Sequence, residues 1–118
     1  MDKSVLIADD SSFMRKWLKD MLDKGGFYVI LEAHDGQDAI QKYKAFSPDI
    51  LLLDLTMPKV NGLDVLKEIR DYDSSANVII CSAMGQKYLI KEALHCGAKD
   101  FVIKPYFNNL LTILKNMF

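Results

Sequence analysis

The sequence predicts an α/β domain in which five parallel strands form an open, doubly wound sheet with helices on both faces. Five short apolar runs, at positions 5–8, 28–31, 50–53, 78–81 and 101–103, do not alternate with polar residues. Runs of this kind are typical of strands that are covered on both faces, as in a parallel sheet. Stretches with helical periodicity separate them, so strand and helix alternate along the whole chain.

The helices of this pattern carry boundary signals and apolar stripes. Ser11 and Asp35 are candidate N-caps of the first and second helices, while Gly25–Gly26 and Gly97 would end the first and the fourth. The fifth helix is expected to run from about position 107 to the end. The expected core stripes are Phe13, Met14, Trp17, Leu18, Met21 and Leu22 in the first helix, Ala39, Ile40, Tyr43 and Phe46 in the second, Leu63, Leu66 and Ile69 in the third, and Leu89, Ile90, Ala93 and Leu94 in the fourth.

Length and composition favour one globular domain that covers residues 1–118. The chain has 118 residues, 26% of them charged, and a net charge of −1, so no basic excess indicates nucleic acid as a direct partner. No apolar run approaches the ~20 residues that span a bilayer, and the apolar stretch near the N-terminus is too short for a signal peptide. We therefore expect a cytoplasmic protein without membrane insertion.

Polar side chains follow four of the five predicted strands. Asp9 and Asp10 follow the first strand, Asp54 the third, Ser82 the fourth and Lys104 the fifth. Ligands of open α/β sheets bind outside the carboxyl ends of the strands, so these groups share one crevice if their strands are neighbours. Three close carboxylates repel one another, and a Mg²⁺, Ca²⁺ or Mn²⁺ ion would relieve that repulsion. An aspartate beside such an ion can act as the nucleophile toward a phosphoryl group.

Each of these residues also has an ordinary structural interpretation. A lone aspartate or serine after a strand is more commonly a helix cap, and the segment Asp10-Ser11-Ser12 fits that role. The functional interpretation rests on the complementary set. The second strand ends differently, in Glu32-Ala33-His34, and is expected at the edge of the sheet.

At these positions the whole chain resembles the receiver domain of bacterial two-component response regulators. The matching motifs are Asp9-Asp10, Asp54-Leu55-Thr56-Met57-Pro58 with Asn61-Gly62, Ser82-Ala83 and Lys104-Pro105. The resemblance implies a flavodoxin-like sheet of strand order 2-1-3-4-5 with five helices. It also implies a cis peptide bond between Lys104 and Pro105, against the ~5–6% base rate of such bonds.

The resemblance further implies a role for each matching residue at the metal site. Asp54 would accept a phosphoryl group from a histidine kinase or a small phosphodonor. Asp10, Asp54 and the carbonyl of Thr56 would bind Mg²⁺, with Mn²⁺ as an alternative, and Asp9 would act mainly through a metal-bound water. Met84, like Thr56, would flank the site and tune hydrolysis of the phosphate.

The resemblance implies roles for three further residues in phosphoryl binding and in the switch. Ser82 and Lys104 would contact the phosphoryl oxygens, and Phe101 occupies the aromatic switch position. The output partner would bind a face made of helix four, strand five and helix five. Because phenylalanine has no hydroxyl to bury, we expect its ring to favour the inward, active-like position more than a tyrosine ring would.

A narrower resemblance is to single-domain chemotaxis regulators of the thermophile and Gram-positive type, and the Cys81–Gln86 segment carries it. We expect a monomer, with a dimer through helices four and five as an alternative, and self-catalysed phosphorylation and dephosphorylation rather than turnover of another substrate. The alternative function is a receiver domain cut from a larger regulator with a DNA-binding or enzymatic output domain. A phosphatase is less favoured, because Thr56 stands where a second catalytic aspartate is usual. A flavin carrier is also less favoured, because Asp9 and Asp10 would repel a phosphate that lacks a metal.

Overall fold

The computed structural model describes residues 3–27, 29–57, 59–83, 86–104 and 106–117. Within these ranges five parallel strands form one sheet of order β2-β1-β3-β4-β5, which confirms the predicted fold class. The strands are β1 (Ser4–Ala8), β2 (Val29–Ala33), β3 (Ile50–Asp54), β4 (Val78–Ala83) and β5 (Asp100–Lys104). The helices are α1 (Ser12–Lys24), α2 (Gly36–Phe46), α3 (Gly62–Tyr72), α4 (Lys87–His95) and α5 (Leu110–Lys115).

Apolar packing on both faces of the sheet explains why the strands have continuous apolar sequences. All five residues of β3 are buried. Leu51 and Leu53 face a core shared with α2, α3 and α4, whereas Ile50 and Leu52 face a second core shared with α1 and α5. A central strand buried on both faces holds its last residue, Asp54, in a fixed position.

The strand register brings the carboxyl ends of the strands to one edge. Ala8 pairs with Leu53, Asp54 pairs with Cys81, and Ala83 pairs with Lys104. The strand order reverses direction between β1 and β3, which is where open α/β sheets form their binding crevice. The residues that follow β1 and end β3 therefore lie at the switch point.

The helix boundary signals act largely as predicted. The Ser11 side chain accepts a hydrogen bond from the Met14 N–H, and the Asp35 side chain accepts one from the Asp38 N–H. Asn61, which was named only as part of the family motif, caps α3 in the same way. Gly97 follows α4 with a φ of 103°, the left-handed conformation that favours glycine.

Four residues that were expected in the core stripes of the helices are exposed instead. Phe13, Trp17, Phe46 and Leu94 are 70%, 39%, 60% and 39% exposed. In α1 the buried residues are Leu18 and Leu22, because a surface helix needs an apolar stripe only ~100° wide. The Trp17 ring instead packs edge-on against Phe13 and Phe107, with centroids 6.1 and 5.6 Å apart.

The fifth helix begins later than expected. Tyr106 instead forms a bridge with Ile103, in which its N–H donates to the Ile103 carbonyl. A turn follows, in which the Leu110 N–H donates to the Phe107 carbonyl. In α5 Leu110 and Leu114 are buried, while Ile113 is partly exposed. In the part of the chain that is described, no helix has both the length and the apolar character needed to cross a bilayer.

Candidate functional site

The three aspartates predicted to form a site converge at the carboxyl edge of the sheet. Asp9, Asp10 and Asp54 each offer a carboxylate oxygen, and these oxygens lie within 4.8 Å of one another. Asp9 is 1% exposed and Asp54 is 4% exposed, whereas Asp10 faces solvent. The parallel pairing of β1 with β3 produces this proximity, since it places the residue after β1 beside the end of β3.

Lys104 crosses from the end of β5 to two of these carboxylates. Its Nζ lies 2.5 Å from Asp9 Oδ2 and 3.2 Å from Asp54 Oδ2. Burial alone would lower the pKa of Lys104, but the hydrogen bond to Asp9 and the charges of Asp54 and Asp9 outweigh it and raise that pKa. The ammonium group therefore stays protonated at neutral pH and offsets part of the negative charge.

Asp9 is the most buried of the three aspartates. Its Oδ1 accepts a hydrogen bond of 2.9 Å from the Ser11 N–H. Burial nevertheless raises the pKa of Asp9 above its ordinary value, and the hydrogen bonds from Lys104 and Ser11 only partly oppose that effect. Arg15 fixes the backbone beside it, because its Nη1 donates to the Asp9 carbonyl at 2.6 Å and its Nε to Glu32 Oε1 at 3.2 Å. The sequence gives no signal that separates Arg15 from an ordinary surface arginine.

The two oxygens of Asp54 have different surroundings. Oδ1 accepts hydrogen bonds from the N–H and the hydroxyl of Thr56, both at 3.1 Å. Oδ2 faces the ammonium of Lys104. The first oxygen is thus held by neutral donors and the second faces a cation, so the two oxygens of Asp54 are chemically distinct.

Ser82 lies at the same edge, but its hydroxyl donates to Gln86 rather than to one of the three aspartates. Its side chain is completely buried, and the hydroxyl donates a short hydrogen bond to Gln86 Oε1 at the N-terminus of α4. Its neighbour Cys81 pairs with Asp54 across the strands, and burial raises the pKa of that thiol to about 12. Cys81 and Cys96 are both free thiols.

Phe101 lies in an outward position in this structure, and its greater preference for the inward position relative to a tyrosine stays a prediction. The residue is 38% exposed and lies on β5 in an apolar groove against α4. The groove is lined by Lys87, Ile90, Lys91, Leu94, Phe101 and Ile103. Apolar neighbours reduce the free energy cost of an exposed ring, which accounts for the outward position.

Some predicted features lie outside the described residues. These are Pro58, Met84 and Pro105, so the suggested influence of Met84 and the cis bond between Lys104 and Pro105 stay predictions. The described residues still include each of the seven residues named for the site: Asp9, Asp10, Asp54, Thr56, Ser82, Phe101 and Lys104.

Comparison with known families identifies the class of protein that has this fold and this acidic edge. The model of the response regulator receiver domain matches residues 5–115. The chain therefore belongs to the response regulator receiver domain family, as its sequence motifs had indicated.

The chain is also similar to individual chemotaxis regulators. It is 51% identical to the chemotaxis protein CheY of Thermotoga maritima over 106 residues, which cover 90% of this chain and 88% of that protein. It is 48% identical to the chemotaxis protein CheY of Bacillus subtilis with the same coverage. Among solved structures, a chain of the CheX–CheY–BeF3–Mg²⁺ complex from Borrelia burgdorferi matches with a TM-score of 0.87 and 40% identity, over 98% of this chain and 87% of that one.

Proposed function

We propose that the chain is a phosphorylation-activated signalling switch that accepts a phosphoryl group on Asp54 and acts as a stand-alone regulator of the chemotaxis type. The observation that carries this proposal is the convergence of Asp9, Asp10, Asp54 and Lys104 at the switch point of the sheet. The identity of 51% and 48% to two chemotaxis proteins supports the chemotaxis type.

Asp54 is the nucleophile in the proposed reaction. Its Oδ2, which faces Lys104, attacks the phosphorus of a histidine kinase or small phosphodonor, a new O–P bond forms, and the bond to the donor atom breaks. The donor leaves with the electron pair of that bond. The ammonium of Lys104 lies within reach of both Asp9 and Asp54, so it can shift to the incoming phosphoryl oxygens. Positioning and neutralisation of charge supply most of the catalysis in such a transfer.

The acidic residues of this edge suit a hard divalent cation. Three carboxylate oxygens within 4.8 Å of one another are the donor type that Mg²⁺ and Mn²⁺ prefer. Asp10, Asp54 and the carbonyl of Thr56 would hold Mg²⁺, and Asp9 would act mainly through a metal-bound water. When bound, the ion would neutralise charge on the phosphoryl group and its acceptor.

The same groups support slow self-catalysed loss of the phosphate, so the chain acts on itself rather than on a separate substrate. The proposed output surface is the α4–β5–α5 face, where Phe101 lies exposed beside Lys91 and Leu94. A partner protein would bind there, with the regulator as a cytoplasmic monomer and a dimer through α4 and α5 as the alternative.

Two aspartates at opposite ends of β3 provide a matched test of the acceptor. Asp49 directly precedes the strand and Asp54 ends it. After incubation with acetyl phosphate and Mg²⁺, intact-mass measurement should find a phosphate adduct on the wild type and on Asp49→Asn, but none on Asp54→Asn. An adduct that persists in Asp54→Asn would overturn the assignment of the acceptor.

A further inference from the structure

We propose that Gln86 is a positioning residue that holds the Ser82 hydroxyl away from the phosphoacceptor, so that phosphorylation must break the Ser82–Gln86 hydrogen bond. This inference rests on the proposed function of Asp54 and adds a residue that sets how readily the switch responds. None of the motifs that carry the family resemblance assigns Gln86 a role.

The first observation is that Ser82 has one hydroxyl proton and gives it to Gln86. Ser82 is completely buried, so water cannot easily replace a lost partner. Its hydroxyl donates to Gln86 Oε1, and the same oxygen accepts a second hydrogen bond of 3.2 Å from the Ala83 N–H. A serine hydroxyl donates one hydrogen bond at a time. The Gln86 oxygen and any other acceptor therefore compete for that proton.

The second observation is that Gln86 differs from the N-cap residues of the first three helices. Ser11, Asp35 and Asn61 each use the side chain to accept a hydrogen bond from the N–H three residues further along their own helix. Gln86 is the N-cap of α4, yet its side chain makes no such bond. Its oxygen is directed to the end of β4 instead, which ties the N-terminus of α4 to Ser82.

The third observation is the place of Ser82 next to the acceptor. Strand β4 lies between β3, which carries Asp54, and β5, which carries Lys104. On β4, Cys81 pairs with Asp54 and Ala83 pairs with Lys104, and Ser82 stands between these two residues. A phosphoryl group on Asp54 would place charged oxygens near this position. Hydrogen bonds to charged acceptors are stronger than those to a neutral amide, so the hydroxyl would transfer to the phosphoryl group.

The consequence is a direct link between the reaction and α4. When the Ser82 hydroxyl no longer donates to Gln86, the Gln86 oxygen keeps only the hydrogen bond from the Ala83 N–H. The N-terminus of α4 then loses one of the hydrogen bonds that connect it to the end of β4. The apolar groove with Phe101 and Ile90 is formed between α4 and β5. The Ser82–Gln86 hydrogen bond is made only in the unphosphorylated arrangement. It therefore favours that arrangement, because an interaction shifts a two-state equilibrium only when it differs between the two states.

The test uses beryllofluoride with excess Mg²⁺ as the phosphoryl probe. Gln86→Met keeps the length of the side chain but removes the acceptor oxygen, so calorimetric titration should show beryllofluoride binding tightened about 2- to 10-fold, as expected for loss of one competing hydrogen bond. In a Ser82→Ala background the same substitution should leave the affinity unchanged, because the competing donor is absent. Gln86→Ala should repeat both results if Gln86→Met folds poorly.

The outcomes separate this inference from the proposed function. Unchanged affinity in Gln86→Met, or an equal gain in the Ser82→Ala background, would overturn the role of Gln86 while the binding of beryllofluoride to the wild type still supports phosphorylation of Asp54. Failure of the wild type itself to bind beryllofluoride in Mg²⁺ would overturn both. The affinity of Gln86→Met for Mg²⁺ alone should match the wild type, which distinguishes positioning of Ser82 from general damage to the site.

Discussion

The two edges of the sheet use the same residue types in opposite ways. At the carboxyl edge the carboxylates of Asp9 and Asp54 are crowded with that of Asp10 and share one cation, Lys104. At the amino edge Asp49 accepts hydrogen bonds from neutral donors, with its Oδ2 2.8 Å from the Ser4 N–H and 3.2 Å from the Ser4 hydroxyl. The carboxyl edge brings negative charges close together, whereas the amino edge stabilises its carboxylate with nearby hydrogen-bond donors.

The second carboxylate of the amino edge follows the same rule. Asp73 Oδ2 accepts a hydrogen bond of 2.9 Å from the buried Tyr43 hydroxyl, and its Oδ1 accepts from the Ser75 N–H and hydroxyl at 3.1 and 2.9 Å. The hydrogen bond from Tyr43 has the largest effect on the pKa of Asp73, and together with those from Ser75 it lowers that pKa. Asp49 and Asp73 are thus held by hydrogen bonds from neutral donors. Asp9 and Asp54, the aspartates proposed to be functional, face the ammonium of Lys104 and the carboxylates of each other and of Asp10 as well.

The largest expected effect comes from removal of the cation at the carboxyl edge. In Lys104→Met the buried carboxylates of Asp9 and Asp54 lose their shared partner, and breaking a buried ion pair in this way typically costs about 3–5 kcal/mol. We expect a loss of about 3 kcal/mol in the free energy of unfolding without divalent ions. Added Mg²⁺ should restore more stability to the variant than to the wild type, because it replaces the missing positive charge.

Lys99→Met is the matched control for this prediction. Lys99 is exposed and lies just before β5, whereas Lys104 ends that strand. Urea denaturation of the two variants, with and without Mg²⁺, measures the difference. Equal stability of Lys104→Met and Lys99→Met would show that Lys104 does not balance the carboxylates of this edge.

The amino edge should respond to the loss of a charge by losing stability. Asp49→Ala removes the acceptor for the Ser4 N–H and hydroxyl, and hydrogen bonds to a charged group contribute about 1.5–3 kcal/mol. We expect a loss of about 2 kcal/mol, measured by urea denaturation at neutral pH. The exposed Asp71 offers a control, since Asp71→Ala should change stability far less. A stable Asp49→Ala variant would remove the distinction between the two edges.

The sequence allowed prediction of the strands and the carboxyl edge because both depend on local patterns. Continuous apolar runs identify buried strands, and the order of the chain then places Asp9, Asp54 and Lys104 at strand ends. The amino edge escaped prediction because its pairs are tertiary contacts. Tyr43 was assigned only to an apolar stripe, and nothing in the sequence connects its hydroxyl to Asp73, which is 30 positions away.

The wrong predictions for the aromatic residues have the same cause. Periodicity identified the apolar side of α1, but it could not tell how far the neighbouring helix covers that side. Trp17 lies at the margin, packed against Phe107 of the turn before α5, and is 39% exposed. Gln86 was likewise unpredictable, because its interaction with Ser82 depends on how α4 meets the end of β4.

A smaller effect is expected from Tyr43→Phe, which removes one hydroxyl from the amino edge. The cost should be about 1–2 kcal/mol at neutral pH, where Asp73 is charged. The folded state lowers the pKa of Asp73, so its contribution to stability is present above the ordinary value of 3.8 and is lost as pH falls through the folded pKa. The difference between the wild type and Tyr43→Phe should therefore shrink at about pH 3.

Tyr72→Phe is a suitable control for that experiment. Tyr72 is 52% exposed and its hydroxyl donates only a long hydrogen bond of 3.4 Å to the Lys44 carbonyl, so its removal should have little effect at either pH. Urea denaturation of both variants at the two pH values provides the comparison. A pH-independent cost in Tyr43→Phe would mean that its hydroxyl does not act through the charge of Asp73.

The smallest change in stability, and the one of opposite sign, is expected at Asp10. Two unit charges 4.8 Å apart repel by about 1 kcal/mol in water, and Asp10 is exposed beside the carboxylates of Asp9 and Asp54. Asp10→Ala should therefore raise the free energy of unfolding by up to about 1 kcal/mol at low salt, and by less at high salt. Asp49→Ala, with the same change of charge, should lower it.

Mg²⁺ binding decides what that gain in stability means. If Asp10 is a ligand that the fold places close to other carboxylates at a cost in stability, Asp10→Ala should weaken Mg²⁺ binding at least about tenfold while the protein becomes more stable. Asp20→Ala, an exposed aspartate of α1, should change neither property strongly. If Asp10→Ala instead loses stability as Asp49→Ala does and keeps its Mg²⁺ affinity, Asp10 belongs with the structural aspartates. The Mg²⁺ site would then not include Asp10, because repulsion among the carboxylates at the carboxyl edge would no longer identify the metal ligands.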